Sequence, residues 1–135
     1  MAVLVVAEHD NAALRPATLN ALAAAAKLPG PIAVLVAGDG CRAAADAAAK
    51  CAGVARVILA ESPALAHGLA ENMAPLVVAL AKDFSHVVAP ATSTAIGPGS
   101  LAAAASALSV AGRSAALSCS AITSTVILLF SLLFR

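Results

Sequence analysis

"VLVVAEHDNAALRPATLNAL", residues 3–22, changes character twice. It opens as a continuous apolar run, passes through Glu8, His9, Asp10 and Asn11, and closes on Ala, Leu, Thr and Asn behind Pro16. A short uninterrupted β-branched run fits a strand covered on both faces in a parallel sheet. Pro16 suits the first turn of a helix, where a missing N–H costs little, and the Ala and Leu that follow are good helix formers. The stretch therefore predicts strand, loop, helix, with the helix over 16–28 and its end marked by Pro29, Gly30 and Pro31.

The same alternation continues outward. "PIAVLVAG" at 31–38, "ARVILA" at 55–60 and "SHVVAPA" at 85–91 repeat the apolar run. Between them, "RAAADAAAK" predicts a helix over 41–52, with Gly40 before it, Gly53 suited to the left-handed position after it, and Lys50 in its last turn. The segment "ALAHGLAENMAPLVVALAKD" contains Pro75, which predicts a break or kink near residues 72–75. Four strands alternating with three helical segments predict an α/β parallel sheet wound by right-handed crossovers. Such folds place ligands beyond the carboxyl ends of their strands, which points to the loops Glu8–Arg15, Gly38–Gly40 and Thr92–Gly99.

Composition narrows the function. A chain of 135 residues fits one domain with a core of its own. A net charge of +1 supplies no field for nucleic acid, so none is expected as a partner. Three Phe and no Trp or Tyr leave few stacking platforms, so any ligand would be held mainly by backbone. Cys41, Cys51 and Cys119 are odd in number and widely spaced, which suits a reducing cytoplasm and neither zinc nor a dithiol motif. Cys41 and Cys51 are expected as small buried apolar residues. The N-terminus lacks the basic region of a secretory signal.

After Asp83 only Arg113 and Arg135 carry full charge. The 21 uncharged positions between them are just long enough to span a bilayer as a helix. Their apolar part, "VILLFSLLF", is equally an ordinary length for a buried strand or short core helix. A membrane-anchored domain is thus one alternative, although a membrane is not the expected partner.

Each candidate site has a structural reading that competes with the functional one. Glu8, His9, Asp10 and Asn11 suggest acid–base chemistry or metal binding, yet neighbours leaving a strand point in opposite directions and no second ligand cluster follows. Asx residues ahead of a helix more often bond the backbone in a turn or cap. "AGDGC" at 37–41 follows a strand and precedes a helix, so its N–H groups suit an anion, but it lacks both G-x-G-x-x-G and a P-loop Lys. "ATSTAIGPGS" at 91–100 offers hydroxyls and glycines that also make an ordinary loop. His67 is expected at a helix start and His86 beside a strand, each without a partner. No Ser–His–acid or Cys–His set is present in this order. No residue is therefore assigned as catalytic, cofactor-binding or metal-binding; a nucleotide-binding α/β module using the Gly38–Gly40 turn and the Thr92–Gly99 loop is the alternative reading.

Together, "VLVVAEHDNAALRPATLNALAAA", "VLVAGDGCRAAADAAAKCAGVARVILAE" and "AHGLAENMAPLVVALAKDFSHVVAPAT" closely resemble the N-terminal domain of the electron-transfer flavoprotein α subunit over about residues 2–92. The resemblance implies a three-layer parallel-sheet domain like the adenine-nucleotide α-hydrolase fold, pairing with a homologous β subunit. It also implies that the AEHDN loop belongs to no metal or catalytic set. The intact heterodimer would carry electrons through one FAD from flavoprotein dehydrogenases, including those of fatty acid β-oxidation, to a quinone oxidoreductase of the respiratory chain. That FAD is held mainly by a second domain, so none is expected on this chain alone. Where the family has Gly-Lys and then Pro-Arg ahead of a helix, this sequence has Gly97-Pro98 and "LAAAASALSV", and nothing from Ala111 onward matches. The reading is a domain over 1–110 and an apolar tail over 111–135, with the coding sequence frameshifted or prematurely ended near Thr94. The chain is expected to be a cytoplasmic electron-carrier subunit fragment, not an enzyme, and to give a weak or absent complex with a β subunit.

Overall fold

The computed structural model describes residues 2–67, 70–91, 114–122 and 125–133, the last two stretches as backbone. Strand β1 (Ala2–Val6) leads to helix α1 (Pro16–Ala25), β2 (Ile32–Gly38), α2 (Arg42–Ala49) and β3 (Val54–Glu61). A 3₁₀ turn (Pro63–Leu65), α3 (Ala70–Ala81) and β4 (Phe84–Ala91) follow, then β5 (Ser114–Ile122) and β6 (Thr125–Leu133). The sheet order is β3-β2-β1-β4-β6-β5. The first four strands are parallel, whereas β6 runs antiparallel to both β4 and β5.

Alternation along each strand divides the core between two faces. Val3, Val5, Val34, Val36 and Val88 point to one side and pack with Ala21, Leu22 and Ala25 of α1 and Ala44, Ala45 and Ala48 of α2. Leu4, Val6, Leu35, Phe84 and Val87 point to the other side and meet Val77 and Ala81 of α3. Helices on both faces of a parallel sheet make the three-layer α/β fold expected from the sequence. Alanine dominates the inner sides of α1 and α2, so both helices can lie close to the valine-rich sheet.

Several local expectations need correction. Helix α1 stops at Ala25, not Leu28, because Lys27 and Leu28 already bond back over three residues to Ala24 and Ala25 in a tightened end. Cys41 precedes α2 as its N-cap, and Cys51 lies beyond its C-terminus, half-buried, with its thiol donating to the Ala47 carbonyl at 3.5 Å. Helix α3 runs through Pro75 without a break. Pro75 sits in the second turn on the exposed side, so only the carbonyl of Glu71 loses its intrahelical donor, and water can replace it. His67 lies in the turn before α3, and His86 lies inside β4, with its Nδ1 3.0 Å from the Ser85 hydroxyl.

Strand β3 is not covered on both faces: it is the sheet edge, and every one of its residues is half-buried or exposed. The uncharged tail forms two strands of nine residues each and not one spanning helix. Among the described residues no helix is long and apolar enough to cross a membrane. The Thr92–Gly99 loop lies outside the described residues.

Candidate functional site

The carboxyl ends of β1 and β2 meet in a corner built by the loop after each strand. Leaving β1, the chain makes a narrow antiparallel bridge between His9 and Leu14, closed by Arg15 N–H donating to the Glu8 carbonyl at 2.9 Å. Asn11 supplies the left-handed residue at the tip, with φ of 71°. The Asp10 carboxylate accepts from the Ala12 and Ala13 N–H groups at 3.1 and 2.8 Å, an Asx turn. These two donors hold the exposed Asp10 carboxyl below the ordinary aspartate range, with a smaller contribution from the charge of Arg15.

Thr18, in the first turn of α1, ties that helix to the end of β1. Its hydroxyl accepts from Glu8 N–H at 2.7 Å and donates to the Glu8 carbonyl at 2.9 Å, both in the interior. One side chain thereby satisfies two backbone groups at the point where strand pairing stops. Arg15, the N-cap of α1, makes no side-chain cap, so Thr18 rather than an Asx cap fixes the helix start.

His9 reaches across to the neighbouring strand. Its Nε2 lies 3.0 Å from the Ala37 carbonyl, and its Nδ1 accepts the Asn11 N–H at 3.1 Å. A carbonyl requires a donor on Nε2 and an N–H requires a lone pair on Nδ1, so both contacts together specify the neutral Nε2–H tautomer. The ring also presses on Gly38: a Cβ there would come 3.0 Å from His9 Cε1 and 3.4 Å from Cys41 Cβ and Sγ. A side chain at position 38 would therefore be crowded by the imidazole and would touch the thiol. Its carbonyl is taken by Ser62 N–H at 3.0 Å, which joins β3 to the same corner. Cys41 is fully buried; burial first, then the charges of Glu61 and Asp39, push its thiol up and keep it protonated.

Within the Glu8–Asn11 cluster, His9 bonds the Ala37 carbonyl while Asp10 bonds the Ala12 and Ala13 N–H groups. Among the described residues, no group of three or more His, Cys, Asp and Glu is placed to hold a metal ion. The "AGDGC" turn is crowded at Gly38 and open at Gly40, which takes the left-handed conformation with φ of +67°.

A cavity of about 350 Å³ lies at the opposite end of the sheet, lined by Ala2, Pro31, Ile32, Ala33, Ala55 and Arg56. The Arg56 guanidinium stands 5.2 Å from the centroid of the Phe84 ring. This is the amino end of the parallel strands, away from the place where such sheets bind ligands. Sequence reading missed Thr18, for which a Thr inside an Ala/Leu helix start was the available signal; it named Gly38 as part of a turn, but the closeness of Gly38 to His9 depends on a contact across 29 residues.

The family model described as "Electron transfer flavoprotein domain" matches residues 3–127. Over 93 residues the chain is 57% identical to the electron transfer flavoprotein subunit alpha of Pseudomonas aeruginosa, covering 69% of this chain and 30% of that protein. The subunit alpha of Paracoccus denitrificans is 52% identical over 96 residues, covering 70% of this chain and 31% of that protein. A probable mitochondrial subunit alpha of Caenorhabditis elegans is 44% identical over 96 residues, covering 71% of this chain and 29% of that protein. The chain spans about 30% of the length of these relatives. A match through nearly the whole chain, on a three-layer sheet of the kind described, means that this protein belongs to the electron transfer flavoprotein domain family.

Proposed function

We propose that this chain supplies the subunit-pairing domain of an electron-transfer flavoprotein α subunit, docking on a β subunit and leaving the flavin to residues outside it. The family's work is electron transfer, and its members here are subunits of a carrier rather than catalysts. In the intact heterodimer one FAD would accept electrons from flavoprotein dehydrogenases and deliver them to a quinone oxidoreductase in the respiratory chain. The flavin supplies the redox chemistry there, and the protein positions it. The chain's place is the cytoplasm, with neither nucleic acid nor membrane as a partner. In this reading 1–110 is the pairing unit and 111–135 an apolar tail whose β6 pairs with β4 and whose β5 takes the sheet edge, while the family match itself continues to residue 127.

One observation supports the assignment: the family match runs over residues 3–127 of a chain whose strands take the parallel order β3-β2-β1-β4. Co-expression of the tagged chain with a cognate β subunit tests this. Weak retention of the β subunit with a colourless eluate is expected. A yellow, reducible heterodimer overturns the location of the flavin, and no retention at any concentration overturns the pairing role. Titration with AMP or ATP addresses the nucleotide-binding alternative, for which saturable binding is the required result.

A further inference from the structure

The loop after β1 is closed by backbone bonds, Arg15 N–H to the Glu8 carbonyl at 2.9 Å and Asp10 N–H to the Ala13 carbonyl at 3.1 Å, and by the side chains of Asp10 and His9. Asp10 is held below the ordinary aspartate range, so its carboxylate keeps its charge and both its bonds through neutral and mildly acidic pH. His9 differs. Its Nδ1 accepts the Asn11 N–H at 3.1 Å only while that nitrogen has a free lone pair, and histidine is the side chain that ordinarily gains a proton between about pH 8 and 5. Asn11 is also the residue with φ of 71°, a conformation that asparagine tolerates better than most residues but that still needs contacts to hold it.

We propose that His9 is a proton-operated latch on this loop: the neutral ring ties the loop tip to the carboxyl end of β2, and protonation of Nδ1 releases the tip. A proton on Nδ1 turns the acceptor into a second donor facing the Asn11 N–H, so ring and amide must part. The Nε2–H still donates to the Ala37 carbonyl, 3.0 Å away, which keeps the ring anchored on β2 and puts the movement on the tip. Turning the ring over is no escape, since carbon atoms would then face both partners. The charged and titratable groups around the ring are Glu8, Asp10 and Arg15 of its own loop, Asp39, Cys41 and Arg42 at the turn into α2, and Glu61, which pairs with Gly38 at the end of β3. Cys41 stays a neutral thiol and carboxylates predominate among the rest, so the corner tolerates an added positive charge. What it lacks is an acceptor for a proton on Nδ1. The latch therefore holds at the alkaline side of the histidine range and opens as pH falls through it, with the sheet and the Thr18 bonds to Glu8 left in place.

Nitrogen-15 NMR of the full chain from about pH 8 to 5 tests this. Two readouts are followed together: the ring nitrogens of His9, and solvent exchange of the Arg15 N–H, corrected for the intrinsic dependence of amide exchange on pH. The Arg15 amide reports opening of the loop and not the nearby charge alone, because it is bonded to Glu8 and not to the ring. At the alkaline end His9 is expected as the Nε2–H tautomer. As Nδ1 takes its proton, Arg15 exchange should rise about fivefold to tenfold, the effect of losing one hydrogen bond, with the midpoint of the ring titration. In His9→Gln, whose amide can donate to Ala37 but takes no proton in this range, the rise should vanish, although His67 and His86 remain. A proton on Nδ1 at the alkaline end overturns the proposal, as does an Arg15 exchange rate that stays flat while the ring titrates. A rise that survives in His9→Gln also overturns it, and the titration of the unaltered chain decides the matter by itself if that variant does not fold.

Discussion

Replacing Gly38 by alanine isolates the contact on which the corner depends. Gly38 is not among the residues with positive φ, so alanine meets no backbone penalty there. With nothing in the way, such a change stabilises a protein by about 0.4–1 kcal/mol through the unfolded chain. Here the new methyl lands 3.0 Å from His9 Cε1 and 3.4 Å from Cys41 Cβ and Sγ. The Cys41 contacts are close to ordinary van der Waals distance, and the ring must give by a few tenths of an ångström. Displacing the imidazole stretches its bonds to the Ala37 carbonyl and Asn11 N–H, each worth about 1 kcal/mol. Overpacking of this kind costs about 1–3 kcal/mol, which, less the gain through the unfolded chain, leaves Gly38→Ala destabilising by about 1–2 kcal/mol overall. His9→Ala alone should cost about 1–2 kcal/mol from the two lost hydrogen bonds. In the His9→Ala background the ring is gone, and Gly38→Ala should be close to neutral, a coupling of about 1–2 kcal/mol between neighbours. Urea unfolding followed by far-UV circular dichroism measures all four corners of the cycle. A Gly38→Ala protein as stable as the parent, or one whose cost is undiminished without His9, would refute the crowding of position 38 by His9.

Thr18→Val keeps the shape of the side chain but strips both interior bonds to Glu8, leaving an N–H without its acceptor; a loss of about 2–4 kcal/mol is expected in the same unfolding assay, and Thr18→Ser should recover most of it. The depressed Asp10 carboxyl gives a pH dependence with a definite sign: its turn is stabilised above the ordinary aspartate range, and that contribution disappears as pH falls through the lower folded value. Amide shifts of Ala12 and Ala13 followed by NMR should report a midpoint below that of an unstructured aspartate, and a midpoint at or above it contradicts the Asx turn. Cys41 should react with a thiol reagent far more slowly than half-exposed Cys51 in the folded protein, since it is fully buried and its thiol is held protonated. Because that thiol is raised, its contribution to stability is present below the unfolded thiol value and fades as pH rises through the folded one. Equal labelling rates for the two would contradict its placement.

The alternation of elements was legible in the sequence because it rests on local patterns. The apolar runs at 2–7, 31–38, 55–60 and 85–91 coincide with β1–β4 to within a residue or two, and Pro16 marks the start of α1. What a run of apolar residues does not carry is its position in the sheet. "ARVILA", apolar but for Arg56, reads as a buried strand much as "IAVLVA" does, yet the first lies at an edge with half-open faces and the second is interior, a difference set by strand order. Pro75 illustrates the converse: its cost depends on which face it occupies, and on the exposed side α3 continues through it. At the corner, the chemistry-like cluster was correctly suspected of being a turn, through Asp10. His9 was not readable as a clamp, since its acceptor on Ala37 lies 28 residues away and comes near only when β1 and β2 pair. The tail strands were equally hidden, for an uncharged segment satisfies the length rule for a bilayer helix as readily as that for a hairpin.

The order β3-β2-β1-β4 sets β1 between β2, the next strand in the chain, and β4, which is made much later. The partner of β1 on one side arrives early, but the Ser85 hydroxyl that reaches the Ala2 carbonyl is 83 residues further on. At the usual 5–20 residues per second of translation, the nascent β1 waits about 4–17 s with one flank bare. Phe84, Val87 and Ala89, which complete one core face, emerge from the ribosome together at the end of that interval. The unfinished chain therefore offers a long-lived apolar flank to holding chaperones, and its assembly is timed by the ribosome more than by the speed of any single helix or hairpin.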